Sequence, residues 1–107
     1  MSNPYTGEAA LVIDGERRVL KLTLGALAEL EGALGADSLV ALVERFETGG
    51  FSARDVMALI LAGLHGAGHA LPAQALLNAD IQGGAVEASR VAARLLALAF
   101  ALPEDTP

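Results

Sequence analysis

The chain lacks cysteine and tryptophan altogether, and basic residues are scarce. Without cysteine it has no disulfides, thiolate metal ligands or cysteine nucleophiles, and this composition fits a reducing compartment, so we expect a cytoplasmic protein. Seven basic residues stand against thirteen acidic ones, which gives a net charge of −6. Phosphate backbones are bound mainly by clustered lysine and arginine, and the few aromatics are too scattered to form a stacking platform. We therefore expect no direct binding to nucleic acid.

Long hydrophobic runs are also missing. The longest late apolar run, Leu95 to Leu102, is too short to cross a bilayer, and the N-terminus has neither the basic segment nor the apolar core of a signal peptide. We expect no membrane association. A length of 107 residues is typical of one domain with one core. The sequence predicts a single domain over residues 1–107, in which 1–7 form an extended lead-in and 103–107 a flexible tail.

A β-hairpin is indicated near the start of the chain. Asp14 and Gly15 form a strong turn signal, because tight hairpin turns need positive φ angles, which aspartate and glycine tolerate best. Flanking strands are predicted over Glu8 to Asp14 and about Arg17 to Thr23. Alternate leucines of the second strand should share one face that other elements must cover. These leucines are Leu20, Leu22 and Leu24.

Helices are predicted for the rest of the chain. At Thr23, which can cap the first helix, the hydrophobic period changes from two residues to three or four. That helix should end at Gly35, and a second should begin at Asp37 or Ser38. A third begins with a capping box at Ser52. The fold class is therefore α+β, with an N-terminal two-stranded antiparallel β-hairpin followed by a bundle of four to five α-helices.

Glycines and a proline divide the second half of the chain. The segment Gly63 to Pro72 is expected to end the third helix. A short fourth helix should run from Pro72 through Ala79, and the last from about Ala85 to Ala101. The last helix is apolar around most of its girth, so it needs more than one neighbour.

The sequence contains only weak motifs for a catalytic or metal-binding site. His65 and His69 are four residues apart, which on a continuous helix would suit a metal ion. Gly66 and Gly68 argue against such a helix, so we interpret the pair as solvent-facing loop histidines. The same glycines follow a helix rather than a strand, which is the wrong context for a phosphate-binding loop. We predict no catalytic residues, no cofactor, no metal and no enzyme activity.

Acidic residues do not form a convincing catalytic pair either. Glu29 and Glu31 are two apart on a helix and point in different directions. Glu44 and Glu47 flank Arg45 on what we predict to be a solvated helix face. This arrangement is typical of surface charge.

Two surfaces are candidates for binding another protein. Both strands of a two-stranded sheet are edges, so the backbone near Val19 and Lys21 could pair with a strand of another chain. A hairpin covered by helices, with edges that are only solvated, is an equally good interpretation. The last helix either lies at the centre of the domain, which we favour, or meets a partner. Its candidate anchors are Leu98, Phe100 and Leu102.

Successive segments of the chain resemble the small tail protein of gene transfer agents. They are NPYTGE, an IDG turn, LKLTLGALAELEGALGADSLVALVERF, FSARDVMALILAGLHGAG and VAARLLALAF. That family is grouped with phage tail assembly chaperones and has also been labelled a tail tube protein. The resemblance implies a non-enzymatic chaperone or adaptor that keeps the long tape-measure protein coated until tail tube subunits polymerise around it.

The resemblance also names partners and an alternative. Tape-measure and tail tube proteins are the implied partners, and homo-oligomer formation is left open. The alternative is a structural tail component retained in the finished particle. A tube subunit would need a large β-sheet able to close into a ring, for which the chain has few strand signals.

Overall fold

The computed structural model describes residues 8–34 and 39–100. Over these residues a hairpin of β1 (Glu8–Ile13) and β2 (Glu16–Lys21) precedes the helices. These are α1 (Leu24–Leu34), α2 (Leu39–Thr48), α3 (Ala53–Gly66), α4 (Ala73–Leu77) and α5 (Gly84–Phe100). The predicted α+β class, hairpin first and helices after it, is confirmed. The predicted lead-in and tail, Leu102, and the boundaries predicted between the first two helices lie outside the described residues.

The hairpin turns at Asp14 and Gly15, whose φ angles are 52° and 81°. Both angles lie in the left-handed region, so the predicted turn chemistry is confirmed. From the turn, antiparallel pairing runs as far as Glu8 opposite Lys21. Alternate side chains of β1 enter the core with at most 2% of their surface exposed; they are Ala9, Leu11 and Ile13.

The second strand ends at Lys21, two residues earlier than predicted, because Thr23 caps the helix that follows. Its Oγ1 accepts a hydrogen bond from a backbone N–H in the first turn of α1 at 3.1 Å, which confirms the predicted cap. The predicted leucine face is therefore covered at Leu20 and Leu22, which pack on the core, and is wrong at Leu24. Leu22 lies between the elements and is half-buried, and Leu24 opens α1 with 85% of its surface exposed.

The central element is α3, which packs against β2, α1, α4 and α5. Its side chains Leu59, Ile60 and Leu64 are at most 1% exposed. The prediction that the last helix occupies the centre is wrong, since α5 packs on α3 and β1 and leaves residues such as Ala93 and Ala97 exposed. Alanine on the outer face of α5 explains why the prediction failed. Alanine counts as apolar in a sequence pattern, but it is a good helix former that can stay exposed to solvent.

Two glycines allow α3 to approach its neighbours closely. A Cβ added at Gly63 would lie 2.9 Å from Leu95 Cδ1 and 3.1 Å from Leu20 Cβ. A Cβ added at Gly66 would strike the carbonyl oxygen of Lys21. The helix therefore continues through Gly66, beyond the point at which a loop was predicted, because packing on β2 offsets the low helix propensity of glycine.

A third segment of chain pairs with the outer edge of β1. Ile81 forms an antiparallel bridge with Ile13, and Gln82 N–H donates to the carbonyl of Val12 at 3.0 Å. The pairing stops at Gly83, where a φ of 88° turns the chain into α5. The segment therefore covers only the half of the β1 edge that lies near the hairpin turn.

The remaining boundaries differ slightly from prediction. The short helix after Pro72 ends at Leu77 instead of Ala79, and α5 begins at Gly84. Within residues 8–34 and 39–100, no helix combines the length and hydropathy needed to span a bilayer.

Candidate protein-binding surface

The first predicted surface, the outer edge of β2, is covered at the residues named for it. Val19 is half-buried, and its carbonyl oxygen accepts a hydrogen bond from His69 Nε2 at 3.1 Å. The carbonyl of Lys21 faces Gly66 at the end of α3. Another chain could pair with β2 here only after this end of α3 had moved. Binding through Val19 and Lys21 stays a prediction.

Both histidines are held by specific partners. His65 lies in the last turn of α3, with Nδ1 2.7 Å from Glu29 Oε2 and Nε2 2.7 Å from the carbonyl oxygen of Leu71. His69 Nδ1 is 3.5 Å from Arg18 Nη1. The interpretation as solvent-facing loop histidines is wrong for His65, because α3 continues past the predicted break. His69 does lie in the loop after α3, but it is half-buried like His65 instead of facing solvent. Across the part of the chain that the structure describes, no three histidine or acidic side chains are grouped to hold a metal ion.

The environment of His65 favours its charged form. Both ring nitrogens face oxygen acceptors, so both can donate only when the imidazole is protonated. The hydrogen bond to the Leu71 carbonyl is the main cause that raises the pKa of His65; the Glu29 carboxylate raises it further, and partial burial opposes them. In this form His65 links α1, α3 and the loop that leads to α4.

The second predicted surface, the end of α5, is partly open. Leu98 is half-buried, whereas Phe100 is 44% exposed and borders a groove of about 370 Å³ between α2 and α5. Apart from one carboxylate the other walls are apolar: Val43, Phe46, Glu47, Ala93, Leu96 and Ala97. The fold thus brings Phe100 together with α2 and not with the β2 edge. Binding through Leu98 and Phe100 stays a prediction.

A second apolar groove was not predicted. It also measures about 370 Å³ and lies between α3, α4 and the start of α5. Its larger apolar walls are Phe51, Val56, Met57, Ile60, Leu76 and Ile81. They come from separate stretches of chain, so no local spacing identifies them. No sequence signal marks the groove. In the structure, large apolar residues of the bordering helices are exposed, with Leu77 at 64% and Val86 at 76%.

The two grooves meet at an aromatic pair. Phe46, a wall of the α2–α5 groove, stacks on Phe51, a wall of the other, with ring centroids 4.4 Å apart and planes 7° apart. Offset or stacked aromatic pairs contribute about 0.5–1.5 kcal/mol beyond area burial. We call the two grooves together the apolar surface.

An ion pair fixes α2 beside this surface. Arg45 donates from Nε to Asp55 Oδ2 at 2.8 Å and from Nη2 to Oδ1 at 2.9 Å. The Arg45 hydrogen bond is the main cause that lowers the pKa of Asp55; burial opposes it, and the backbone N–H of Ser52 lowers the pKa further. Ser52 and Asp55 form the predicted capping box, which is confirmed. Arg45 is therefore not on a solvated face as predicted, although Glu44 and Glu47 beside it are exposed.

Comparison with known proteins connects this fold to virus-like tails. No curated protein and no solved structure matches the chain. Residues 6–102 match the family described as phage tail tube protein, GTA-gp10, in which GTA stands for gene transfer agent. Since the match covers nearly the whole chain, the protein belongs to this tail family of gene transfer agents.

Proposed function

We propose that the protein is a tail assembly chaperone or adaptor that binds tape-measure and tail tube proteins in the cytoplasm during tail formation. The observation that carries this choice over a tube subunit is the size of the sheet. In the described ranges the sheet has two strands, extended by the single bridge at Ile81. A tail tube whose subunits join into a closed ring through their β-sheets needs a larger sheet than this, because each subunit must pair both of its sheet edges with its neighbours.

The apolar surface supports a role in covering hydrophobic segments. Grooves with an exposed aromatic residue at the rim suit an amphipathic helix, which lays its apolar face into them. The net charge of −6 would keep such a complex dispersed by mutual repulsion. We therefore propose that helical segments of the tape-measure protein dock here.

Coexpression tests this proposal. The tagged chain should retain the tape-measure protein in the soluble fraction and copurify with it or with the tail tube protein. Ala97→Glu places a carboxylate in the α2–α5 groove beside Glu47 and should reduce the amount captured. Ala28→Glu makes the same change at an exposed position of α1 and should not. Melting curves of both variants establish that they fold; equal capture by both, or no capture by the native chain, contradicts the proposal.

A second candidate function is a tail component retained in the particle. It is favoured by the description of the family as a tail tube protein. Mass spectrometry of purified particles separates the two functions. A chaperone should be absent or sparse, whereas a tube subunit should be abundant, and abundance would overturn the chaperone proposal.

No bond-making chemistry is part of either proposal. His65 and His69 both hold structural hydrogen bonds, which supports a structural role for the residues that most resembled a reactive pair. A variant with both replaced by glutamine should still capture its partners at a temperature below its melting point. Loss of capture by a folded double variant would contradict a purely structural role.

A further inference from the structure

The half of β1 far from the hairpin turn has an open edge. The Val12 carbonyl and the Asp14 N–H point outward and bond to Gln82 and Asp80. Outward-facing groups alternate along a strand of an antiparallel pair, so the N–H and C=O of Ala10 face the same side. Neither group bonds to a residue in the described ranges outside the hairpin. One half of this edge is therefore paired through the bridge at Ile81, and the half at Ala10 is free to pair with another chain.

A groove follows this open edge between β1 and α5. It measures about 300 Å³, and its residues are Ala9, Ala10, Glu87, Arg90, Val91 and Arg94. A neighbouring groove of about 260 Å³ shares Ala10 and Glu87 and adds Arg17 of β2. The small side chains of Ala9 and Ala10 thus lie beside the unpaired backbone of Ala10, and the long charged side chains of the glutamate and the arginines surround it.

The charge around the groove is opposite in sign to that of the whole chain. Arg90 pairs with Glu87 at 3.2 Å, whereas Arg94 and Arg17 form no ion pair with any residue that the structure describes. Three guanidinium groups and one carboxylate leave a positive rim in a protein of net charge −6. A partner with negative charge would be drawn to this rim and repelled from most of the remaining surface.

We propose that the open half of the β1 edge binds an extended, acidic segment of a partner protein by strand addition. Backbone hydrogen bonds at Ala10 supply affinity, and carboxylates of the segment meet Arg90 and Arg94. This edge is separate from the apolar surface, and an acidic segment would pair with it in the same way whether the protein is a chaperone or a tube component.

Synthetic peptides test the proposal on the full chain. The probe is a short peptide in which valine alternates with glutamate, compared with the same peptide carrying lysine for glutamate. In NMR spectra of the labelled protein, the acidic peptide should shift the Ala10 amide and slow its hydrogen exchange. The Val19 amide on β2 should be unaffected. Equal binding of the lysine peptide, no change at Ala10, or changes confined to β2 would overturn the proposal.

Charge reversal sharpens the test. Arg94→Glu should lower the affinity for the acidic peptide about fivefold, which matches the energy of an exposed charge pair. The same change should raise the affinity for the lysine peptide. Arg54→Glu changes the net charge equally at an exposed position of α3 and should leave both affinities unchanged. If both variants bound the acidic peptide equally weakly, the effect would be due to net charge and not to the groove, and the proposal would be overturned.

A backbone variant tests strand addition itself. Ala10→Pro removes the outward N–H at a position where an edge strand tolerates proline, so both peptides should bind more weakly to this variant than to the native chain. If Ala10→Pro does not fold, the comparison of Arg94→Glu with Arg54→Glu still tests the proposal. Sedimentation at the same concentration must show a monomer, because a dimer paired through β1 would identify a second copy as the occupant and overturn the proposal.

Discussion

The two ends of α3 are joined to the rest of the molecule in different ways. At the C-terminal end Gly66 lies against the Lys21 carbonyl, so shape decides the contact. At the N-terminal end Asp55 accepts two hydrogen bonds from Arg45, so charge decides it. The first contact should be sensitive to added volume and the second to lost charge. Five changes test that difference, and they are ordered by how strongly each should alter stability.

Adding one methyl group at the C-terminal end should have the largest effect. Gly66→Ala directs a Cβ into the Lys21 carbonyl, which is backbone and cannot rotate away, so we expect a loss of about 3 kcal/mol in the free energy of unfolding. Gly32→Ala in α1 is the matched control: its Cβ meets open space, and stability should rise by about 0.5–1 kcal/mol. Urea unfolding measures both. A Gly66→Ala variant as stable as the native chain would contradict the close approach of α3 to β2.

Removing the cation at the N-terminal end should have the next largest effect. Arg45→Ala leaves the buried Asp55 carboxylate without its main partner and should cost about 2 kcal/mol. A double-mutant cycle with Asp55→Ala should show that the two losses are not additive. Additive losses would mean that the two side chains do not interact.

The same ion pair predicts an acid dependence. Because folding lowers the pKa of Asp55, its contribution is present above the unfolded value of about 3.9 and is lost as pH falls through the lower folded value. Acid unfolding should therefore be steeper for the native chain than for the double variant.

Removing the imidazole that covers the β2 edge should have a smaller effect. His69→Ala deletes the hydrogen bond to the Val19 carbonyl and should cost about 1 kcal/mol. His69→Gln keeps a donor and should recover part of the loss. Denaturant unfolding measures both; an alanine variant more stable than the glutamine variant would show that the hydrogen bond does not stabilise the edge.

The smallest effect should be a pH dependence at His65. Since its pKa is raised on folding, its contribution is fully present below the unfolded value of about 6.5 and disappears as pH rises through the folded value. The stability difference between the native chain and His65→Gln should shrink on going from about pH 5.5 to about pH 8.5. Glu29 and the ring are partly solvent-exposed, so the change should stay below about 1 kcal/mol. A difference independent of pH would contradict the charged form.

Turn and capping signals in the sequence were reliable, whereas contacts between distant residues could not be predicted. The Asp14 turn, the Thr23 cap and the Ser52 capping box each depend on neighbours within a few residues, and all are confirmed. The side-chain partner of His65, Glu29, lies 36 residues away, and the partners of His69 lie 50 or 51 residues away. No spacing within one helix can indicate such pairs.

The order of the elements and their caps follows from local patterns in the sequence, because hydrophobic period, turn residues and capping side chains act over one or two helical turns. Which helix became central and which strand edge was covered depended on packing between elements. Both α3 and α5 are apolar enough for the centre, but Gly63 and Gly66 allow α3 to lie close to β2. The loop that follows α3 then brings His69 onto the edge at Val19. That choice depends on how closely the surfaces of separate elements can approach, which no short stretch of sequence specifies.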